Sequence, residues 1–398
     1  MQTVGIYVHI PFCASRCAYC DFCSTAARQD LFPAYRDALI RHIGEAAPGV
    51  AQSVADTIYF GGGTPTYFGA KNLIRVFDEM KRRFRILRSA EVTFEANPDS
   101  ADYKSLRALR AAGFNRISLG VQSANDAILE FIGRRHRFAD AERAVADARR
   151  AGFGNVSVDL IYGLPAQTRD DWVDTLGRII DLEPDHISCY GLKIEPGTPL
   201  WEYRDSPMIP DDDMQADMYL YAVSTLAAHD YAQYEISNFA RPGMASKHNL
   251  KYWQLGDYLG IGASAASNIG DRRYTCIDDV DEYVRRVGSG EPLCGPVEVI
   301  DRYERASEYL MLGLRTTHGI CEAEYSAIYR GGFKPLEELF EDYAKRGFAR
   351  AADGRWSFTP TGFLLSNTLI GELLDAQTEC KFHIGTPWRE KDYFSSLF

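Results

Sequence analysis

The chain is predicted to be an α/β protein: an incomplete parallel barrel of six βα units, an α+β cover and a small C-terminal winged-helix-like domain. Two observations predict the barrel. Up to about residue 195, short β-rich apolar runs alternate with amphipathic stretches of helical period, which is typical of βα units around a parallel sheet. Chemically distinctive residues also follow several of the runs, and functional residues of βα barrels gather at the carboxyl ends of strands.

The predicted strands are short, apolar and rich in β-branched residues, and they cover residues 4–10, 57–60, 91–95, 116–121, 156–161 and 186–194. The predicted helices have apolar residues at helical spacing, and they cover residues 33–46, 70–84, 101–112, 124–132, 138–151 and 169–182. Gly113 and Gly152 follow two of these helices directly, as C-terminal capping glycines do. These elements assign the barrel to residues 1–200.

The pattern changes after the barrel. Residues 201–300 contain an acidic helix start at 211–213, a helix to about 229 and a stretch rich in glycine and aromatic residues, and we interpret them as an α+β cover over the open barrel. Residues 301–398 contain three helical stretches, a glycine-containing strand pair and a last helix from Thr361. This order predicts a winged-helix-like domain, for which packing or partner contact is expected because its composition gives no basic face.

Composition narrows the compartment and the partners. Nine cysteines, four of them between residues 13 and 23, do not resemble the disulfide framework of a secreted domain and fit a reducing cytoplasm. The N-terminus lacks a signal-peptide pattern, and no apolar run of about 18 residues is present, so we expect no membrane span. A net charge of −11 argues against a general nucleic-acid binder. We therefore predict a cytoplasmic protein without a nucleic-acid partner.

Three cysteines after the first predicted strand have the spacing Cys13-x3-Cys17-x2-Cys20. Thiolates are the ligands that iron–sulfur clusters require, and three of them can bind three irons of a [4Fe-4S] cubane while the fourth iron stays open. A zinc knuckle or a disulfide pair is the alternative, although zinc usually needs further ligands from a second segment. Cys23 is either a fourth ligand or a spare thiol. The spacing favours the open cluster.

Polar residues at the ends of other predicted strands are expected near this cluster. The glycine loop 61–65 leaves the second strand with exposed backbone, which can donate N–H groups to a carboxylate or receive an ammonium group on its carbonyls. A tight βα turn is the alternative. Glu95 ends the third predicted strand and Asp159 lies late in the fifth, where a buried carboxylate needs a cation or a hydroxyl group. Ribose hydroxyls or an amino group would satisfy them, and a helix N-cap or an ion pair is the alternative.

These segments resemble the radical S-adenosylmethionine (SAM) superfamily, specifically its oxygen-independent coproporphyrinogen oxidase-like branch. The matching motifs are YVHIPFC at 7–13 with CxxxCxxC, GGGTP at 61–65, EANP at 95–98, RISLGVQ at 116–122 and DLIYGLP at 159–165. The resemblance implies a [4Fe-4S] cluster on Cys13, Cys17 and Cys20, with the amino and carboxylate groups of SAM on the open iron. The residues that it assigns to SAM are Tyr7, Gly62, Gly63, Thr64, Glu95, Gln122, Arg134 and Asp159. Of these, the last three match residues around a second SAM in the oxidase.

Three departures separate the chain from the oxidase itself. The oxidase has a fourth cysteine, CxxxCxxCxC, where this chain has Phe22, and it has a longer segment ahead of its cysteines. The segment HNLKYW at 248–253 resembles the HNxxYW motif of heme chaperones in the same branch, in which the histidine is linked to heme. His248 beside aromatic residues suits an axial contact to heme iron, and a structural histidine is the alternative. Ala266 stands where many of these chaperones have a histidine. At this position the chain is more similar to the oxidase.

We therefore expect a heme chaperone that binds heme and a [4Fe-4S] cluster with SAM and transfers heme to an acceptor protein. The resemblance further implies an electron donor and a role of the cluster in gating heme release or homodimer formation. Two alternatives stay open: oxidative decarboxylation of coproporphyrinogen III, and a non-catalytic iron–sulfur protein that acts through its C-terminal domain. The resemblance alone does not decide whether the chain is an enzyme. Cys189, Cys276 and Cys294 are interpreted as small buried side chains, and a role as a heme ligand in place of His248 is the alternative.

Overall fold

Six parallel strands form the centre of the computed structural model, which describes residues 2–329 and 332–383. They are β1 (Thr3–Ile10), β2 (Val54–Gly62), β3 (Ile86–Ala96), β4 (Arg116–Gln122), β5 (Asn155–Tyr162) and β6 (His186–Gly191). The strands pair in chain order. Besides a one-turn helix at Pro65–Phe68, the helices between them are α1 (Phe32–Ala46), α2 (Ala70–Arg83), α3 (Tyr103–Ala112), α4 (Asp126–Phe131), α5 (Phe138–Ala151) and α6 (Arg169–Asp181). The predicted α/β class with six βα units is confirmed.

The two faces of the sheet differ in polarity. In β1 the apolar residues at alternate positions are buried in the hydrophobic core: Val4, Ile6, Val8 and Ile10. The intervening positions point to the opposite face, because successive strand residues alternate. On that face the other strands place polar side chains that are also buried, among them Thr57, Thr93, Arg116, Ser157 and His186. The barrel interior is therefore polar, and the outer face packs the helices.

The helices α3 and α5 end at the capping glycines that the sequence predicts. Gly113 and Gly152 follow α3 and α5 in the left-handed conformation, with φ values of 115° and 93°. A side chain at these positions would strain the backbone. At the other end of a helix, the Asn125 side chain accepts hydrogen bonds from the N–H groups of Ala127 and Ile128, which caps α4. These caps fix where each helix stops and the chain returns to the sheet.

Residues 201–297 extend the sheet at both edges. After α7 (Asp212–Ala228), strands β7 (Ala232–Gln233) and β8 (Asn238–Ala240) add antiparallel strands next to β6. Helix α8 (Lys247–Trp253) follows, and β9 (Tyr258–Ile261) then pairs parallel with β1. The remaining elements are β10 (Ala266–Ile269), β11 (Arg272–Thr275) and α9 (Val280–Ser289). As the sequence predicts, Asp211 caps the start of α7 by accepting from the N–H of Met214.

Contacts divide the chain into two compact units, the first comprising Met1–Gln233, Ser237–Lys251 and Gly256–Val297 and the second the remaining residues. In the second unit, three helices precede a β-hairpin and two further helices. They are α10 (Arg302–Gly313), α11 (Glu322–Tyr329), α12 (Lys334–Lys345), β12 (Ala349–Ala352), β13 (Arg355–Phe358), α13 (Pro360–Leu364) and α14 (Ser366–His383). Phe340 stacks on Trp356 with ring centroids 5.3 Å apart, which joins α12 to the hairpin. Among the described helices, none is long and apolar enough to cross a membrane.

Candidate functional site

The carboxyl ends of the parallel strands open into a cavity of about 470 Å³. It is lined by most of the site residues that the sequence predicts, namely Cys13, Cys17, Cys20, Gly62, Gly63, Thr64, Glu95, Gln122, Arg134 and Asp159. These residues lie at, or in the segments that follow, the carboxyl ends of the first five parallel strands, which meet at one mouth. Tyr7 and His248 lie deeper in the barrel, where Tyr7 stacks on His248 with ring centroids 6.5 Å apart.

The cysteine loop after β1 is fastened to the glycine loop after β2. The N–H of Gly63 donates to Ile10 O and the N–H of Thr64 to Phe12 O, each over 2.8 Å. The Thr64 hydroxyl donates to the Sγ of Cys13 over 3.5 Å. A Cβ added to Gly63 would lie 3.0 Å from the same sulfur and 2.8 Å from Phe12 O, so only glycine permits this approach. The backbone thus holds the first thiol in place.

The donor set fits an open cluster. Three soft sulfur ligands face one cavity, and burial raises the pKa of Cys13 and Cys20, so metal binding would release their protons. No three His, Cys, Asp or Glu side chains in the described ranges converge as a single metal ion requires. A cubane does not need such convergence, because each thiolate binds a different iron. The Cys23 thiol lies apart and donates to Asp278 O over 3.5 Å.

The N–H groups of the glycine loop are used within the protein. Gly62 donates to Glu95 Oε2 over 3.1 Å, and Gly63 and Thr64 donate to the cysteine loop. The sequence leaves two uses of this loop open. Because these N–H groups already have acceptors in the protein, they are not free to bind the carboxylate of a ligand. Acceptance of a ligand's ammonium group by the loop carbonyls is the use that fits. Gly62 has a φ of 113°, and a Cβ there would lie 2.5 Å from the His9 ring. Both the backbone conformation and the space require glycine.

Two buried carboxylates face the cavity. Glu95 accepts from the Tyr59 hydroxyl over 2.7 Å, and burial, with the charge of Asp159 adding to it, raises its pKa to about 7. Asp159 accepts from Ser188 over 2.6 Å and from Ser118 over 2.9 Å, and burial nevertheless raises its pKa. Both carboxylates accept hydrogen bonds from hydroxyl groups of the protein, so a ligand that carries hydroxyl groups fits their chemistry.

The end of β4 presents a strained residue to the same cavity. Gln122 has a φ of 70°, in the left-handed region, where the pairing of β4 with β5 shifts register between Gly120 and Gln122. Such bulges re-aim side chains and are frequent next to functional sites. Arg134 donates to Asn97 Oδ1 over 2.8 Å, to the carbonyl of Gly120 and, over 3.5 Å, to Cys17 Sγ. The guanidinium therefore joins the cysteine loop to the β3 and β4 strand ends.

The sequence analysis assigned no role to Arg116 or Tyr59, which also line the cavity. Arg116 is 2% exposed, and its positive charge opposes the rise in the pKa of both Glu95 and Asp159. A signal was present: in β4, Arg116 has the parity of Ser118, Gly120 and Gln122, so strand alternation puts it on the polar face. It was hidden because Arg116 opens an otherwise apolar run.

His248 lies near the amino ends of the strands, away from the cysteine loop. Its side chain is 1% exposed, its Nδ1 is 2.9 Å from the Thr57 hydroxyl, and its ring stacks on Tyr59 at 5.2 Å. The Glu91 carboxylate accepts from the N–H groups of Lys247 and His248 over 3.0 and 3.1 Å, which anchors α8. Burial lowers the pKa of His248 to about 3, so the imidazole is neutral. Its sequence neighbour Asn249 reaches the cavity.

Glu95→Gln is expected to remove a pH-dependent loss of stability. The pKa of Glu95 is raised from 4.5 to about 7 in the folded protein. Below about pH 4 Glu95 is protonated in both the folded and the unfolded protein. As the pH rises towards 7, the unfolded chain loses this proton first, so the free energy of unfolding of the wild type falls and then levels off. The loss of stability that results from this raised pKa is at most about 3 kcal/mol.

Urea unfolding of the cofactor-free protein at pH 5.5 and pH 8 measures this effect. We expect the stability of the variant, relative to wild type, to rise between the two pH values. The exposed Glu130→Gln serves as the matched control, with parallel behaviour to wild type expected. An unchanged pH dependence in Glu95→Gln would show that Glu95 ionises normally.

Comparison with known proteins agrees with the site. Residues 7–179 match the radical SAM superfamily, and residues 300–365 match the HemN C-terminal domain. The heme chaperone HemW of Bacillus subtilis is 35% identical over 373 residues, covering 92% of this chain and 98% of that protein. The chain belongs to the HemW family of the radical SAM superfamily. The mouse radical S-adenosyl methionine domain-containing protein 1, mitochondrial, is 36% identical over 359 residues, covering 84% of this chain and 80% of that protein.

The fold has a solved counterpart. Coproporphyrinogen III oxidase (HemN) from Escherichia coli, described as a radical SAM enzyme, superposes with a TM-score of 0.81 at 25% identity, over 94% of this chain and 90% of that chain. The partial-barrel prediction and the radical SAM resemblance are thereby confirmed. In sequence, the similarity to HemW covers nearly the full length of the Bacillus subtilis protein.

Proposed function

We propose that this chain is a heme chaperone that holds a [4Fe-4S] cluster with SAM in the barrel mouth, binds heme and passes it to an acceptor protein. The observation that carries the proposal is the near full-length similarity to proteins named heme chaperone HemW, at 32–35% identity in Bacillus subtilis and Lactococcus lactis. The exposed Phe22, where the oxidase motif needs a cysteine, supports it. Phe22 is 69% exposed and lines the cavity mouth.

In this proposal Cys13, Cys17 and Cys20 hold the cluster, and the carbonyls of the glycine loop receive the amino group of SAM. Glu95 and Asp159 accept hydrogen bonds from hydroxyl groups of the nucleoside. When bound, the reduced cluster can supply one electron to the sulfonium of SAM. Tyr59 orients Glu95 through its hydrogen bond, and the positive charge of Arg116 partly compensates the negative charge of the carboxylates. An electron donor, a homodimer and a cytoplasmic location belong to the same proposal.

His248 is the proposed axial ligand of the heme iron. Its neutral imidazole has the protonation state that iron binding needs. Thr57 and Tyr59 contact its ring, however, and Glu91 holds the backbone of α8, so we expect iron to reach the imidazole after α8 separates from Glu91. Heme binding by this residue is therefore expected to be slow and limited by release of the helix.

Heme titration with and without reconstituted cluster tests the proposal. His248→Ala is expected to lose the absorption signature of histidine ligation and at least about ten-fold in affinity. Glu91→Gln removes one of two carboxylate acceptors for the α8 backbone and is expected to speed heme association by roughly ten-fold. The exposed His229→Ala is the matched control and should bind as wild type does.

Unchanged heme affinity and spectrum in His248→Ala would overturn the ligand assignment while leaving heme binding itself intact. A wild-type protein that binds no heme in either cluster state would overturn the chaperone proposal. Transfer is tested separately, by mixing the heme-loaded protein with apo-forms of heme proteins and following the heme spectrum. Absence of transfer to any of them, with heme firmly bound, would argue for storage rather than delivery.

A second candidate function is oxidative decarboxylation of coproporphyrinogen III. The observation in its favour is that Gln122, Arg134 and Asp159, which match residues around a second SAM in the oxidase, all line the cavity. The reconstituted, reduced protein with SAM and coproporphyrinogen III distinguishes the two. Formation of protoporphyrinogen would establish the oxidase activity and displace the chaperone proposal.

A further inference from the structure

Cys276 and Cys294 form a pair of thiols outside the cluster site. Their sulfur atoms lie 3.3 Å apart, although the residues are 18 positions apart in the sequence. Both cysteines are reduced, and neither lines the cavity that holds the cysteine triad. A contact of this length is a thiol–thiol contact, because a disulfide bond requires about 2.05 Å.

The backbone presents the two side chains to each other. Cys276 and Cys294 are partners in an antiparallel β-bridge. The flanking hydrogen bonds run from Ile277 N to Leu293 O over 3.0 Å and from Gly295 N to Thr275 O over 2.9 Å. The two cysteines thus occupy a non-hydrogen-bonded site, where opposite Cα atoms are about 4.5 Å apart. This separation lies within the range of disulfide-bonded pairs.

The two thiols differ in accessibility and reactivity. Cys276 is 3% exposed, whereas Cys294 is only partly buried. The hydrogen bond from Cys276 lowers the pKa of Cys294 and, in turn, raises the pKa of Cys276. Because the thiolate is the attacking species in exchange, Cys294 has the properties of the nucleophile and Cys276 those of the resolving thiol.

We propose that Cys276 and Cys294 form a reversible thiol–disulfide site that is oxidised by a small-molecule disulfide. The Cys294 thiolate attacks one sulfur of that disulfide, which forms a mixed disulfide and releases one thiolate. Cys276 loses its proton and attacks the Cys294 sulfur, which closes the intramolecular bond and releases the second thiolate. Two protein thiols are oxidised and the external disulfide is reduced to two thiols, because the two protons lost by the cysteines are taken up by the two released thiolates.

The bridged segment contacts the loop that carries the cluster cysteines. Asp278 O accepts from the Cys23 thiol over 3.5 Å, and the Asp281 carboxylate binds the Arg28 guanidinium through two contacts of 3.0 and 3.1 Å. Closing the bond would join the two ends of segment 277–293 and restrict its motion. Oxidation is therefore inferred to hold the loop around residues 23–28 more firmly, independently of whether the protein carries heme.

Full-length, cluster-loaded protein in anaerobic glutathione buffers of increasing oxidised fraction tests this site. Free thiols are alkylated, and peptides are analysed by mass spectrometry. We expect a Cys276–Cys294 cross-linked peptide at a lower oxidised fraction than any modification of Cys189 or Cys321. Cys276→Ser should instead accumulate a glutathione adduct on Cys294, and Cys294→Ser should give neither product. Exchange of backbone amides at 23–28 should slow by roughly ten-fold in the oxidised protein.

Complete alkylation of both cysteines at every glutathione ratio would overturn the disulfide site. Cross-linking without any change in amide exchange at 23–28 would overturn its effect on the cluster loop. Cys321→Ser is the matched control for the loss of one partly buried thiol, and it should leave the cross-link and the exchange rates as in wild type. Neither result depends on heme binding, so failure here is distinguishable from failure of the proposed function.

Discussion

Cys17→Ser is expected to abolish [4Fe-4S] binding, whereas Cys23→Ser is expected to retain it. Cys17 lines the same cavity as the other two triad cysteines and contacts Arg134, and in the proposed site its thiolate binds one of the three irons. A serine hydroxyl is a hard, protonated donor and does not replace a soft thiolate. The Cys23 thiol turns away to Asp278 O and lies apart from the cavity lining.

Anaerobic reconstitution followed by iron and sulfide analysis separates these outcomes. Wild type and Cys23→Ser should each take up about four irons per chain, and Cys17→Ser should stay near background. Circular dichroism and unfolding of the cofactor-free proteins check that both variants fold alike. Loss of the cluster in Cys23→Ser would instead make Cys23 a fourth ligand. Uptake of zinc with the same three-cysteine dependence, and no iron, would revive the zinc alternative.

The barrel could be predicted because its information is local. The strands carry the period of two that sorts side chains to two faces, and some of the helices carry their own caps, as at Gly113 and Gly152. Strand ends in a parallel barrel meet at one mouth, so the positions of Glu95 and Asp159 followed from the chain order alone. Residues that lie at predicted strand ends were therefore placed together correctly by topology.

What could not be predicted depends on partners distant in the sequence. His248 is buried through contacts to Thr57 and Glu91, the latter 157 positions away, so a motif match alone gave no measure of its accessibility. Cys276 and Cys294 are small side chains by sequence, and only an isolated bridge between two loops makes them a pair. Burial of this kind is set by tertiary contacts, which periodicity does not encode.

Gly63→Ala is expected to leave the fold intact and yet to prevent stable cluster binding. The added Cβ would lie 2.8 and 2.9 Å from the backbone O and N of Phe12 and 3.0 Å from Cys13 Sγ. Two of these atoms belong to the backbone, so the cysteine loop itself must move. Overpacking of this kind costs about 1–3 kcal/mol. Gly63 has no positive φ, unlike Gly62, so the effect is steric and not a backbone strain.

Displacement of the loop breaks the hydrogen bonds from Gly63 and Thr64 and moves Cys13 relative to the other two thiols. Because three ligands must meet one rigid cubane, we expect the yield of reconstituted cluster to fall at least about ten-fold, a larger effect than the loss of stability alone would give. Gly154→Ala, where an added Cβ meets no atom within 4 Å, is the matched control. Wild-type cluster content in Gly63→Ala would mean that the glycine loop does not position the cluster cysteines, and its role would then be confined to SAM.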